Sequence, residues 1–355
     1  MNNAHPTYDA ILIISFGGPE GRDDVIPFLE NVLRGKPVPR ERMLEVAEHY
    51  YQFGGVSPIN RQCRDLIDAL EAELAEKGPH LPVYWGNRNW HPMLADTLRQ
   101  MRDDGVQRAL AFMTSVFSSY SGCRQYRENV ICAQLEVQSE VGGEAPRIDK
   151  LRVFYNHPGF VEPMREHVQS ALDQIPLDRR STTRIVFSAH SIPLAMANGC
   201  AYANQFREAS RLVAEPFADA SWQLVYQSRS GAPSQPWLEP DVCDYLKELV
   251  AKGETTDVVL VPIGFISDHM EVLFDLDIEA REVCAELGLN MIRAETVGTH
   301  PKFIRMVREL IQERTSGAEK LSLGELGPNH DVCPIDCCPS GRPSMPAASP
   351  GGRSG

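Results

Sequence analysis

Short apolar runs alternate with amphipathic stretches along most of this chain. Ala10–Phe16 (AILIISF) is a continuous apolar run closed by Gly17-Gly18-Pro19, and it reads as a buried strand entering a tight turn. Asp23–Leu33 and Gln62–Glu76 carry apolar residues at helical spacing, the second through Leu66, Leu70 and Leu74 with an end near Gly78-Pro79. Tyr50–Asn60 reads as a loop before that helix. Val83–Trp85, Ala109–Phe112 and Leu151–Tyr155 read as strands, and Met93–Arg102 and Tyr120–Leu135 as helices. In the second half the strands are Arg184–Ala189, Trp222–Gln227, Val258–Pro262 and Met291–Ala294. The helices are Val161–Ile175, Tyr202–Ala214, Val242–Lys252, a long one from Asp268, and Pro301–Glu313. Such alternation predicts an α/β protein with parallel sheets and right-handed crossovers. Two doubly wound domains, residues 1–155 and 156–315, then flank a cleft. Residues 316–338 form a cysteine-bearing extension, and 339–355, built almost wholly from Pro, Ser, Gly, Ala and Arg, are expected to be a disordered tail.

Composition narrows the class. A chain of 355 residues with 43% hydrophobic and 23% charged residues is neither disordered nor a disulfide-stapled miniprotein. A formal net charge of −13 excludes nucleic-acid binding by bulk attraction. No run of about 18 apolar residues is present to span a membrane, and Met1–Asp9 lacks an apolar signal core, so the expectation is a cytoplasmic protein. Of nine cysteines, six are scattered singly and read as core thiols of a reducing compartment. Cys333, Cys337 and Cys338 crowd together near the end.

In open α/β sheets ligands bind beyond the carboxyl ends of the strands, so the residues there are the candidates. Gly17-Gly18 lacks the G-x-G-x-x-G pattern and reads as a turn. His190 ends a strand; it is either a proton-transfer group or a structural histidine capping the next turn. After Val258–Pro262, Asp268-x-x-Glu271 reads as a capping box for the long helix. At 100° per residue Asp268, Glu271, Asp275, Glu279 and Glu282 share a face roughly 80° wide on an otherwise apolar helix. That stripe is either a solvated face or a carboxylate track for a divalent cation or protons. The segments Tyr50–Asn60, Ser228–Pro233 and Gln235-Pro236-Trp237 add aromatic and polar residues suited to a flat apolar ligand or to ordinary loop packing.

Taken in order, LIISFGGP (12–19), FGGVSPIN (53–60), FSAHSIP (187–193), Pro236-Trp237-Leu238 and PIGFISDHMEVLFDLDIE (262–279) resemble ferrochelatase, over about residues 8 to 315. The phrasing is most similar to the actinobacterial, soluble branch, whose members insert iron into coproporphyrin III. The resemblance implies two Rossmann-like, chelatase-like domains and ferrous iron insertion with release of two protons. It implies catalytic and iron-binding roles for His190 and Glu271, and an acidic track through Asp268, Asp275 and Glu279 that carries iron inward or protons outward. It implies porphyrin contacts from Phe16, Ser57, Asn60, Tyr126, Ser191 and Trp237. Phe16 occupies the place where some soluble members have a tyrosine able to ligate the product iron, a role its phenyl ring cannot fill. Protoporphyrin IX or cobalt in place of these substrates, or a porphyrin carrier without turnover, are the alternatives. A carrier needs no cation track. The expected state is a monomer that passes its product to a haem enzyme.

The tail thiols alone admit a zinc site or an iron–sulfur cluster, each of which wants four ligands. The resemblance favours a [2Fe–2S] cluster on Cys333, Cys337 and Cys338 with Cys123 as the fourth ligand, Cys132 being the second candidate.

Overall fold

The structure is a computed structural model that describes residues 6–36, 38–141, 144–231, 234–253 and 255–341. The first half runs β1 (Ala10–Ser15), α1 (Val25–Leu33), α2 (Arg40–Gln52), α3 (Ile59–Lys77), β2 (Val83–Asn87), α4 (Leu94–Asp103), β3 (Arg108–Met113), α5 (Gln125–Val141) and β4 (Arg147–Lys150). The second half runs α6 (Pro158–Leu172), β5 (Arg184–His190), α7 (Leu194–Ala197), α8 (Tyr202–Ala214), β6 (Trp222–Gln227), α9 (Val242–Ala251) and β7 (Asp257–Val261). It continues through α10 (Met270–Phe274), a π-helical turn (Asp275–Ala280), α11 (Arg281–Leu287), β8 (Asn290–Arg293) and α12 (Pro301–Thr315).

The strands form two four-stranded sheets, ordered β2-β1-β3-β4 and β6-β5-β7-β8, and every pairing is parallel. All six residues of β1 and all five of β7 are buried, as continuous apolar runs covered by helices on both faces require. In each sheet the order reverses between the first and second strands laid down, so a crevice opens beyond the ends of β1 and β3 and beyond those of β5 and β7. The largest core cluster joins both halves: it contains Leu110 and Phe112 of β3 and Ile185 and Phe187 of β5. Phe303 of α12 stands edge-on to Phe112, and Arg308 of the same helix pairs with Glu73 of α3 at 2.8 Å.

Several sequence expectations need correction. Leu151–Tyr155 is not a strand. β4 ends at Lys150, the Leu151 N–H still bonds Ala111 O at 2.8 Å, and the chain then leaves the sheet. Its apolar residues are buried by packing instead, with the Phe154 ring stacked on Phe112 at 5.3 Å. Tyr50–Gln52 is not loop but the last turn of α2, a helix whose face is so polar that only Met43 and Ala47 are buried. α1 and α2 make a small separate core of Val25, Phe28, Leu29, Met43 and Ala47, with Trp90 against it. The long helix expected from Asp268 starts at Met270 and is interrupted by the π turn. Its cap is His269, whose Nδ1 accepts the Glu271 N–H at 3.2 Å, in place of the expected Asp268–Glu271 box.

The extension after Thr315 has no regular elements, yet it is fastened to the first half. Arg152 Nη2 donates to Leu321 O at 2.8 Å, Asn156 Nδ2 to Gly327 O at 2.9 Å and Lys150 Nζ to His330 O at 3.3 Å. Arg127 of α5 donates to the carbonyls of Pro334 and Ile335, both at 3.1 Å. Pro339 lies against Gly199, where an added Cβ would meet it at 2.7 Å. The start of the expected tail is therefore packed, and residues 342–355 lie outside the described residues. Among the described residues no helix is long and apolar enough to cross a membrane.

Candidate active site

β5 delivers its last residue, His190, to the crevice and stops there because Ser191-Ile192-Pro193 turns the chain away, with Pro193 bridged to Trp237. The His190 Nδ1–H donates to the Ser191 carbonyl, and since a carbonyl only accepts, the nitrogen left to titrate is Nε2. The Tyr202 hydroxyl donates to the His190 carbonyl at 2.8 Å and fixes the strand end from behind. Nε2 faces Glu271 Oε1 at 3.5 Å. Glu271 reaches this place because the loop after β7 folds back onto β5, the Gly264 N–H bonding Ser188 O at 3.1 Å, and His269 then starts α10.

Burial alone would lower the His190 pKa, but the Glu271 charge and its hydrogen bond outweigh burial and raise it to about 9. Burial alone would raise that of Glu271, but His190 outweighs it and holds the carboxyl down at about 2. In the free protein the two therefore stand as an imidazolium–carboxylate pair. His269 is held below its ordinary value by burial, so it stays neutral beside them. Asp275, one turn beyond Glu271, is pushed up to about 7 by burial and by the charges of Glu271 and Glu279. Its Oδ2 accepts from the Ser228 hydroxyl and from Gln227 Nε2 at 3.4 Å. Glu279 is raised as well, by burial and then by Asp241 and Glu282.

The carboxylate stripe is thus present in part. Asp268 precedes the helix and is tied to Arg293 Nη2 at 3.2 Å and to the Thr296 hydroxyl at 3.3 Å, while Arg293 also takes Asp277 at 2.7 Å. A guanidinium neutralises Asp268, leaving Glu271, Asp275 and Glu279 as the acidic series. The π turn begins at Asp275, so the 100° step that predicted a single face does not hold through it.

The remaining sequence candidates stand at different depths in the fold. Phe16, 36% exposed, lies at the end of β1 under the Arg88 guanidinium, which also covers Tyr126 at 4.4 Å. Tyr126 and Trp237 are buried. Ser57 sits behind the turn after β1, where a Cβ on Gly18 would meet its side chain at 2.7 Å. Asn60 is fully buried, its amide donating to Gly18 O and His91 O at 3.1 and 3.2 Å. Ser191 Oγ donates to Leu238 O at 2.8 Å. Opposite, the His49 ring of α2 stacks on Phe274 of α10 at 3.6 Å, so the α1–α2 pair closes over the acidic helix. Sequence reasoning passed over His269, Arg88 and Gln227, and placed Ser228 only in a loop suited to a flat ligand. Gln227 ends β6 beside His190 and carried the same strand-end signal.

The thiols form a second group. Cys123, buried near the end of the turn leading into α5, lies beside Cys333 and Cys338, and Cys337 Sγ is 3.5 Å from Cys338 Sγ. The ligand atoms of His330, Cys333 and Cys337 lie within 4.8 Å of one another. Cys123 and Cys338 are outside that group, as is Cys132, which is exposed on α5.

Comparison with known proteins identifies the family. The ferrochelatase family model matches residues 8–315. The chain is 58% identical to a ferrochelatase of Rhodopirellula baltica, over 94% of each chain. It is 53% identical to a coproporphyrin III ferrochelatase of Streptomyces coelicolor, over 96% of each, and 48% identical to one of Nocardia farcinica, over 95% of this chain and 98% of that protein. Among solved structures, SirB from Bacillus subtilis with Fe3+ has the same fold, with a TM-score of 0.54 at 11% identity, over 88% of this chain and 97% of that one. With a family match across both sheets and relatives this similar over nearly their whole length, the chain belongs to the ferrochelatase family and is a lyase-class metal chelatase.

Proposed function

We propose that this enzyme inserts ferrous iron into coproporphyrin III, giving coprohaem and two protons in haem biosynthesis. The observation that carries the reading is the His190–Glu271 pair at 3.5 Å, set at the crevice beyond β5 and β7. Imidazole nitrogen and carboxylate oxygen suit a borderline divalent cation. The choice of coproporphyrin rests on relatives at 53% and 48% identity that carry that name.

The steps follow from the charges. With its pKa near 9, His190 holds a proton in the free enzyme, and Glu271 is its counter-ion. Approach of iron, the substrate, to Glu271 replaces that counter-ion interaction and lowers the proton affinity of Nε2. The Nε2 proton passes to the carboxylate series, and the neutral imidazole then accepts the two pyrrole protons in turn, handing the first on before it takes the second. Asp275, near 7, both takes and releases protons at neutral pH, and Glu279 continues the series away from His190. Under this reading protons leave along the carboxylates.

The tail thiols are proposed to hold a [2Fe–2S] cluster through Cys123, Cys333, Cys337 and Cys338. The donors support it in part: Cys123 lies beside Cys333 and Cys338, Cys337 beside Cys338, and His330 stands with Cys333 and Cys337, while thiolate is the usual ligand of such clusters. When bound, the cluster supplies a one-electron centre and cross-links the extension to the start of α5.

The experiment is an anaerobic competition, with Fe(II) offered to enzyme holding equal coproporphyrin III and protoporphyrin IX. The expected result is metallation of coproporphyrin first. Preference for protoporphyrin IX would overturn the substrate, and no metallation of either would overturn the activity.

A further inference from the structure

Gln227 ends β6 and Ser228 follows it, and neither has a catalytic or metal-binding part in the expectations drawn from sequence. Gln227 is 1% exposed, and in the parallel pairing of β5 with β6 it lies directly beside His190. Its carbonyl accepts the Ser191 N–H at 2.8 Å, which holds the turn that takes the chain away from His190. Its side chain reaches the other way. Nε2 donates to the Glu271 carbonyl at 2.7 Å and to Asp275 Oδ2 at 3.4 Å. Both partners are oxygens that accept, so the amide stands with nitrogen toward them; the reverse orientation would face oxygen with oxygen. One buried residue thus ties the end of β5, the end of β6 and the helix carrying the carboxylates.

Ser228 acts beside it. It has a left-handed backbone, φ 61°, a conformation that serine adopts at a cost and glycine does not. In that conformation its hydroxyl donates to Asp275 Oδ2. Two donors then converge on one carboxylate oxygen. A strained non-glycine residue held where glycine would be easier has its explanation in what its side chain does.

We propose that Gln227 and Ser228 are positioning residues for metal insertion, fixing Glu271 against His190 and holding Asp275 by its Oδ2. The inference rests on the function proposed above and extends it to residues outside the pair itself. Neither residue is assigned contact with iron, so the effect belongs on the iron kinetics and not on porphyrin affinity.

Ser228→Gly separates the two roles that serine has here, since it relieves the backbone while removing the hydroxyl. Three quantities are compared with wild type in parallel: Tm, coproporphyrin III Kd by fluorescence quenching, and anaerobic kcat and KM for Fe(II). The expected result is an equal or higher Tm, a porphyrin Kd within about 2-fold, and kcat/KM for Fe(II) reduced about 10-fold or more, the scale of a misplaced catalytic group. Gln227→Met, of similar volume but without the donor, should show the same split. Iron kinetics within about 2-fold of wild type in both variants would overturn the proposal. So would a porphyrin Kd that weakens in step with kcat/KM, which would make Ser228 a porphyrin contact. So would a lower Tm in Ser228→Gly, which would make the hydroxyl a structural bond. Wild type that inserts no iron in the same assay would sink the parent reading instead.

Discussion

Glu271→Gln tests the electrostatics of the site most cleanly, because it removes a charge and keeps the shape. At 3.5 Å the His190–Glu271 attraction lies between about 1 kcal/mol in water-like surroundings and about 5 kcal/mol at an effective dielectric of about 20. The His190 side chain is 33% exposed and that of Glu271 47%, so solvent screens the pair. A screened value of about 2 kcal/mol corresponds to about 1.5 pH units. Burial acts on His190 in the opposite direction and remains in the variant. The His190 pKa should therefore fall from about 9 by at least about 1.5 units. His190 is raised above its ordinary 6.5, so its contribution to stability is complete below that pH and is lost as pH rises through about 9. Glu271 is depressed below 4.5, so its contribution is present above that pH and is lost as pH falls through about 2. The assay is an NMR titration of histidine-labelled protein free of iron and porphyrin, with His190 assigned by difference against His190→Ala. A wild-type value near 6.5, or a value near 9 unchanged by Glu271→Gln, would refute the pairing.

Asp275 is raised from 3.8 to about 7, so the folded protein loses stability as pH rises between those values; Asp275→Asn should gain Tm relative to wild type at pH 8 and lose that advantage at pH 4, while iron insertion slows. A variant that gains nothing at pH 8 would contradict the buried, raised carboxyl. Arg152 and Glu313 form a bidentate pair at 2.8 Å with both side chains out of solvent, so Arg152→Met should cost about 3–5 kcal/mol by leaving Glu313 buried and uncompensated, read by denaturant unfolding. Loss below about 1 kcal/mol would mean Glu313 finds water or another cation. Purified wild type should be red-brown with two irons and two sulfides per chain, on the order expected of one [2Fe–2S] cluster, and Cys123→Ser should bleach it and open residues 316–341 to protease, whereas Cys132→Ser should stay coloured. Colourless protein with one zinc per chain would replace the cluster by a zinc site.

The buried parallel strands were legible because each is a short apolar run, and β1, β5, β6 and β7 fall within a residue of their expected ends. His190 was legible for the same reason, as the residue that closes one of those runs. Apolar content by itself misled at Leu151–Tyr155, where burial comes from Phe112 and Phe154 packing and not from a ladder. α2 was missed for the opposite reason, since it buries only two residues against a small satellite core. The π turn leaves no mark in a 100° count, because apolar residues surround it on both sides, and with it went the true partners of the stripe. That Asp268 answers to Arg293 depends on β8 lying beside β7, a contact between residues 25 apart. Ser228 and Asp275, 47 positions apart, meet only because β6 and the helix after β7 end at the same crevice. The extension had no periodicity to read; its order comes from side chains such as Arg127, Asn156 and Arg152 holding its backbone carbonyls.

The most direct test of the central claim is single-turnover metal insertion by His190→Ala. Enzyme preloaded with coproporphyrin III is mixed anaerobically with excess Fe(II), and the porphyrin spectrum is followed. The account predicts that coproporphyrin binds the variant as tightly as wild type and that its free-base bands persist, while wild type converts them to those of the iron porphyrin. Conversion by His190→Ala at near the wild-type rate would contradict the claim that the His190–Glu271 pair carries out insertion.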